Sequence, residues 1–256
     1  MSLSAGREMK NSPPLALLIG KDLMKLAIIT GASAGIGTQT AAQFLAQDYM
    51  VINLSRRNCP VNGVQNISCD LSMPASIDKA FEEMAPKLAQ SQQTALIHNA
   101  SQMRKDKVDE CSSDDLRSVF ETNIIAANSL NQLIIPAMKK GSSVIYVGST
   151  LSEKAVANSF SYVTSKHALI GMMRATCQDL VGRNIHTAAV CPGFTDTEML
   201  RQHLGNDEEV LQHIAGLNAF NRLISADEIA AFILWVNDNP VVNGSVLHAH
   251  LGQIEG

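Results

Sequence analysis

The stretch Leu26-Ala27-Ile28-Ile29-Thr30-Gly31-Ala32-Ser33-Ala34-Gly35-Ile36-Gly37 decides the fold. A short apolar run meets three glycines, and Thr38 to Gln47 then reads as a helix. Continuous apolar runs of this length are what a strand buried on both faces requires. Glycines between such a strand and a helix permit a tight turn. They also let backbone N–H groups approach an anion, and the helix N-terminus adds a favourable partial positive charge. The spacing Gly-x-x-x-Gly-x-Gly differs from the common Gly-x-Gly-x-x-Gly fingerprint, and a turn that only reverses the chain also fits it. The strand before and the helix after favour a nucleotide site.

Working outward, the alternation continues. Met50 to Leu54, Val64 to Ser68, Thr94 to His98, Ser143 to Val147, Ile185 to Val190 and Ser245 to His250 read as further strands. Helices are expected from Pro74 to about Gln90, from a cap at Ser112 or Ser113 to about Lys140, and from Tyr162 to about Val181. Two more are expected over Thr197 to Leu217 and Ala226 to Asn237. Strands alternating with helices imply an α/β fold: one doubly wound domain with about seven parallel strands and helices on both faces. It is expected over residues 24–256. Residues 1–23, with Pro13-Pro14, do not fit the pattern and are expected to be a flexible or appended extension. In such sheets a ligand sits beyond the carboxyl ends of the strands, so the residues just after each strand are the candidates.

Composition excludes several classes. A net charge of −4 with scattered Lys and Arg gives no basic surface for nucleic acid or anionic membrane. No apolar run is long enough to span a bilayer. Five cysteines without a C-x-x-C pair argue against zinc and against a disulfide framework, so no metal is expected and a reducing, cytoplasmic setting is.

Tyr162-Val163-Thr164-Ser165-Lys166 supplies the chemistry. Tyrosine and lysine four apart share one helix face. A nearby ammonium favours the phenolate and can lower the phenol's pKa from about 10 by roughly 1–3 units, which suits a general acid/base. At the second turn, Ser55 fills the position where NAD-binding sheets carry an acid for the ribose 2′-hydroxyl, and Arg56-Arg57 follow. With no carboxylate to repel it, a 2′-phosphate is expected there. Asn123 falls on the apolar stripe Leu116, Val119, Phe120, Ala127, Leu130 and Ile134, where a buried amide needs partners; a local backbone bond that bends the helix is one ordinary explanation.

Thr30-Gly31-x-x-x-Gly35-x-Gly37 followed by Tyr162-x-x-x-Lys166 resembles the short-chain dehydrogenase/reductase family, from Met24 onward. The resemblance implies a Rossmann fold and an NADP(H)-dependent oxidoreductase acting on a small to medium carbonyl or alcohol. It implies Tyr162 as general acid/base, Lys166 lowering its pKa and holding the nicotinamide ribose, and Ser149 orienting the substrate oxygen. Asn123 would hold a water that links the lysine to solvent. Cofactor contacts would come from Gly31, Ser33, Gly35, Ile36, Gly37, Ser55, Arg56, Asp70, Leu71, Asn99, Ala100, Pro192, Gly193, Thr195 and Thr197, besides Tyr162 and Lys166. Asp70 also fits a plain turn or cap. The family's Asn-Asn-Ala-Gly is here His98-Asn99-Ala100-Ser101. His98 is read as scaffold, while Ser101 puts the loop path in question because glycine's freedom at positive φ is lost.

The segment over about 194–222 would cover the substrate and carries no charge cluster. Apolar residues on two faces of the Tyr162 helix (Leu169 and Met173; Ala168, Met172 and Ala175) predict a homo-oligomer, which the resemblance implies is a homodimer or homotetramer. Three other functions share these features: an NAD-dependent alcohol or sugar dehydrogenase, a reductase of carrier-bound 3-oxoacyl groups with Lys139, Lys140 and Arg183 as docking surface, and an NADP-binding regulatory module without turnover.

Overall fold

A computed structural model describes residues 24–254; the expected extension over 1–23 and the terminal Glu255-Gly256 lie outside the described residues. The first apolar run forms β1 (Lys25–Thr30), and its alternate residues go to opposite faces, as strand geometry dictates. Leu26 and Ile28 join one buried cluster, Ala27 and Ile29 the other. The remaining strands are β2 (Tyr49–Ser55), β3 (Gln65–Ser68), β4 (Gln93–His98), β5 (Ser143–Val147), β6 (His186–Pro192) and β7 (Val246–Ala249). They make a seven-stranded, all-parallel sheet in the order β3-β2-β1-β4-β5-β6-β7. The order reverses between β1 and β4, which opens the crevice at their carboxyl ends.

Helices α1 (Gly35–Ala46) and α8 (Ala226–Asp238) pack together over one face through Phe44, Ile229 and Ile233. On the other face, α2 (Pro74–Gln90), α4 (Ala126–Ile134) and α5 (Phe160–Asp179) bury Ile77, Met84, Leu130, Leu169 and Met173. The second apolar face of α5 is partly open in the single chain, with Ala168 and Met172 half-buried and Ala175 exposed.

Two expected helices are broken. The one from Ser112 toward Lys140 starts as expected, with Ser112 Oγ accepting from Asp115 N at 3.1 Å. It then divides into α3 (Ser113–Phe120), a π turn over Glu121–Ile125 and α4, and it ends in a 3-10 turn over Ile135–Ala137. Pro136 has no N–H to continue the ladder, so the helix stops well before Lys140. The stretch expected as one helix from Thr197 to Leu217 is α6 (Glu198–Leu204) and α7 (Glu208–Ala215). Gly205 at φ 77° and Asn206 at φ 56° end α6, and the Asp207 side chain caps α7.

His98 is scaffold, as the sequence suggests. Its Nε2 pairs with Asn131 Oδ1 at 2.8 Å, and Asn131 Nδ2 donates to Tyr146 Oη at 2.8 Å. Burial pushes its pKa down to about 4, with the Asn131 bond opposing. The unfolded chain binds this proton near pH 6.5 and the folded chain does not, so stability is lost as pH falls from there toward about 4. His98→Asn is therefore expected to lose about 2 kcal/mol less than wild type between about pH 7 and about pH 5 in urea titrations. Parallel losses in the two proteins would contradict this origin.

Candidate active site

The first turn is built around close backbone approach. Gly31 adopts φ 71° and Gly35 φ 54°, both left-handed. A Cβ on Gly37 would lie 2.4 Å from Gly31 O. Three side chains outside the turn hold it. Asn99 Nδ2 donates to Thr30 O (3.0 Å) and Gly31 O (3.1 Å). Thr30 Oγ1 accepts from the Asn99 and Ala100 amides at 2.9 and 3.0 Å. Buried Asn53 accepts from Ala32 N at 3.0 Å and donates to Arg57 O at 3.1 Å, bracing both the glycine turn and the arginine loop. No side chain caps α1 at Ala34, so its first N–H groups stay available to an anionic ligand.

At the end of β2, Ser55 Oγ donates to Ser33 Oγ at 3.2 Å. Arg57 reaches across the cleft to pair with Glu198 at 3.2 Å, which holds the Glu198 carboxyl below its ordinary range. Arg56 forms no ion pair among the described residues and lines the cleft, close enough to Asp70 to help lower that carboxyl. The larger causes at Asp70 are the hydrogen bonds from Ser72 Oγ and Ser72 N, so Asp70 is a turn residue as well as a wall of the cleft beside Leu71.

Ser149, Tyr162 and Lys166 converge on the same cleft. Ser149 caps the short turn Thr150–Ser152: its Oγ accepts from Leu151 N at 3.1 Å, which leaves its own proton for another acceptor. Ser152 Oγ accepts from Ser149 N at 3.1 Å and fixes the backbone. Gly148 must be glycine, because a Cβ there would meet Cys191 Sγ at 2.7 Å. Cys191 is fully buried, and burial pushes its thiol up, consistent with a packing role.

Tyr162 sits in the first turn of α5, whose N-terminus is held by a distant residue. Asp106 accepts from Ser161 N at 3.0 Å and from the Ser161 hydroxyl. Its charge also suits a helix N-terminus. Lys166 is buried, donates to Val147 O at 2.9 Å, and lies 5.5 Å from the Tyr162 ring centroid. The expected lowering of Tyr162 by Lys166 is not what the chain itself shows. Burial pushes the phenol up to about 12, with the Ser149 hydroxyl opposing. Burial likewise pushes Lys166 down to about 8. In this packed site desolvation is the largest influence on both groups.

Asn123 lies in the π turn and is fully partnered. It accepts from Gln102 N at 2.7 Å and donates to Gln102 O at 3.0 Å and Ser165 Oγ at 2.9 Å. Ser165 Oγ in turn donates to Tyr162 O at 2.8 Å. The helix is distorted at Asn123, but through long-range bonds and not the local backbone bond that is the ordinary explanation of a buried helical amide. Beside Asn123, Lys166, His98 and Ala100 is a space of ≈ 10 Å³, on the order of one water molecule.

The cleft measures ≈ 1130 Å³ and is completed by residues after β6. Pro192 closes that strand, and Gly193 is required because a Cβ would meet His250 at 2.8 Å. Thr195 Oγ1 turns back to Gly193 O at 3.0 Å. Thr197 caps α6, accepting from Leu200 N, and its methyl faces Gly35 across the cleft. Of the segment expected over 194–222, Phe194 and α6 line the cleft, while α7 does not. Ser101, despite replacing glycine, is not at positive φ, so the loop keeps an ordinary path. Sequence reasoning missed Asn53, Asp106, Ser152, Ser165 and the tail residue Gln253. Asn53, a polar residue inside an apolar strand, was the one visible signal.

The sheet order, the uncapped glycine turn and the Ser149-Tyr162-Lys166 cluster define a nucleotide-type oxidoreductase architecture. The family described as short chain dehydrogenase matches residues 25–208. The chain belongs to the short-chain dehydrogenase/reductase family and is an oxidoreductase of that family. It is 26% identical over 234 residues to carbonyl reductase family member 4 of Xenopus tropicalis, covering 88% of this chain and 96% of that one. It is 28% identical over 246 residues to the 3-oxoacyl-(acyl-carrier-protein) reductase FabG of Salmonella typhimurium, covering 89% and 96%. Among solved structures, a short chain dehydrogenase from Burkholderia cenocepacia in complex with NADP superposes with a TM-score of 0.79 at 26% identity, over 90% of this chain and 98% of that one. No described helix is long and apolar enough to cross a membrane.

Proposed function

We propose that the chain reduces a small to medium neutral carbonyl with NADPH, or oxidises the matching alcohol with NADP. The observation that carries this is the convergence of Ser149, Tyr162 and Lys166 on the cleft that the uncapped glycine turn also lines. The pyrophosphate fits the free N–H groups of the α1 N-terminus, in the cradle that a side chain on Gly35 would fill. Arg56, with the Ser33 and Ser55 hydroxyls, fits a 2′-phosphate. When bound, the nicotinamide supplies or accepts the hydride.

Tyr162, protonated at neutral pH, gives its proton to the carbonyl oxygen, and Ser149 donates a hydrogen bond to the same oxygen. Lys166, charged below about pH 8, stabilises the phenolate left behind and holds the ribose. Asn123 fixes the loop and helix around the one-water space through which the proton is replaced. The cluster Lys139, Lys140 and Arg183 does not support a carrier-docking variant of this function. These residues precede β5 and β6, at the sheet edge opposite the cleft.

A screen of carbonyls with NADPH, followed at the NADPH absorbance, tests the activity. Arg56→Ala is expected to weaken NADPH binding about 10- to 100-fold while leaving NADH within about threefold, because only the 2′-phosphate contact is lost. Equal loss for both cofactors would overturn the assignment of Arg56.

A further inference from the structure

Apart from His203, the charged side chains that line the cleft are Lys166, beside Tyr162, and a group of four: Arg56, Arg57, Asp70 and Glu198. Two are basic and two acidic, so an anion arriving there meets arginines that already have acidic neighbours. The two arginines differ in how they are held. Arg56 forms no ion pair among the described residues, and its neighbour Asp70 is engaged by Ser72 N and Ser72 Oγ. Arg57 is paired fork to fork with Glu198, Nη1 donating to Oε1 at 3.4 Å and Nη2 to Oε2 at 3.2 Å.

The two partners come from opposite walls. Arg57 follows β2, and its backbone is fixed: its N–H donates to Ser55 Oγ at 3.4 Å, and its carbonyl accepts from Asn53 Nδ2 at 3.1 Å. Its side chain is 63% exposed and has room to change partner. Glu198 opens α6, a helix with no buried residue. Among the described residues, its pair with Arg57 is the sole ion pair or side-chain hydrogen bond that α6 makes outside residues 196–208.

A guanidinium fork grips a carboxylate and a phosphate through the same paired donors. An exposed carboxylate pair is among the weakest of ion pairs, so a dianionic phosphate placed beside it takes the arginine. Ser55, which accepts from Arg57 N, also donates to Ser33 Oγ, so the Arg57 loop and the two hydroxyls meet at one point.

The geometry points to Glu198 as a residue that determines cofactor specificity: it competes with a 2′-phosphate for Arg57 and so limits the preference for NADP(H) over NAD(H). The role rests on the 2′-phosphate site proposed for Arg56, Ser33 and Ser55, and adds a residue from the opposite wall that opposes it. When the phosphate engages Arg57, Glu198 loses its partner and faces a second anion. Both effects weaken NADPH, and neither touches NADH.

The test is binding, not turnover. NADPH is compared with NADH, and adenosine 2′,5′-bisphosphate with adenosine 5′-monophosphate, by fluorescence and calorimetry at one ionic strength, because exposed pairs are screened by salt. Glu198→Gln keeps the length of the side chain and the Thr197 cap while removing the charge. It is expected to tighten NADPH and the bisphosphate by about 3- to 5-fold, the upper range for an exposed ion pair, with NADH and the monophosphate within about 1.5-fold. In an Arg57→Ala background the same change is expected to shrink to within about 1.5-fold. Unchanged or weaker NADPH binding in Glu198→Gln would overturn the proposal. Equal weakening of NADPH and NADH would do so by showing α6 to be a strap over the adenosine. Undiminished tightening without Arg57 would overturn the partner exchange. If wild type binds both members of each pair equally and Arg56→Ala alters neither, the 2′-phosphate site falls and the role of Glu198 with it. If wild type prefers the phosphorylated members but Glu198→Gln is neutral, Glu198 alone falls. The predicted tightening without any carbonyl turnover supports Glu198 and counts against the hydride-transfer function.

Discussion

Tyr162→Phe is expected to lower kcat for carbonyl reduction by about 10³-fold, within the 10²–10⁴ range of a positioned general acid. NADPH affinity should stay within about threefold. The argument starts from packing. Tyr162 is only 7% exposed, and α5 around it is fixed by Leu169, Ile170 and Met173 and by the Asp106 cap. Phenylalanine keeps the ring in that site, so the fold and the cofactor end of the cleft are unaffected. The phenol is lost, and with it the proton for the carbonyl oxygen. Ser149 remains, polarised by Leu151 N, and a hydroxyl in that state stabilises a developing oxyanion but is a poor proton source at neutral pH. The residual rate is what orientation and Ser149 alone provide. Single-turnover NADPH oxidation with the best carbonyl, beside an NADPH titration, gives both numbers. A variant within tenfold of wild type would sink Tyr162 as the acid.

Fold and site were legible to different depths. Strands β1, β4, β5 and β6 are buried on both faces, and that forces apolar runs short enough to separate from helices. The glycine turn and the Tyr162-Lys166 pair were legible because backbone approach and proton transfer demand particular residues at fixed local spacing; Ser149 came from the family resemblance. What holds them was not legible. Asp106 caps α5 from 55 positions away, Asn99 stitches the first turn from 68 away, and Asn123 reaches Ser165 across 42. Asn123 shows as a polar residue on an apolar stripe, but partners at such separations leave no local trace in the sequence.

The π turn over Glu121–Ile125 was hidden for a related reason. Its residues suit an ordinary helix, and bonds to Gln102 and Ser165 accompany the distortion. The balance at Tyr162 was inverted because sequence spacing gives the distance between two charges but not how far both are withdrawn from water. Gln253 escaped notice because nothing in the tail after β7 signals that it returns to the cleft.

Gly37→Ala is expected to raise the Kd for NADPH at least about 100-fold and to cost about 2–3 kcal/mol of stability. Gly37 does not sit at positive φ, so the effect is steric rather than conformational. An added Cβ would stand 2.4 Å from Gly31 O, 2.6 Å from Asn99 Nδ2 and 2.9 Å from Ala32 Cα. Two of these atoms are backbone, and the third is the amide that ties the β4 turn to Thr30 and Gly31. Relief requires the turn to open, which breaks the Asn99 bonds and moves the α1 N–H groups away from the pyrophosphate position. Gly171 is the internal control. It lies in the exposed middle of α5, and a Cβ there would meet nothing within 4 Å. Gly171→Ala should therefore raise stability by about 0.5–1 kcal/mol through the lower entropy of the unfolded chain. NADPH fluorescence titrations and urea melts on both variants decide the matter. Wild-type cofactor affinity in Gly37→Ala would show that the turn yields without cost and that the pyrophosphate does not depend on its closed form.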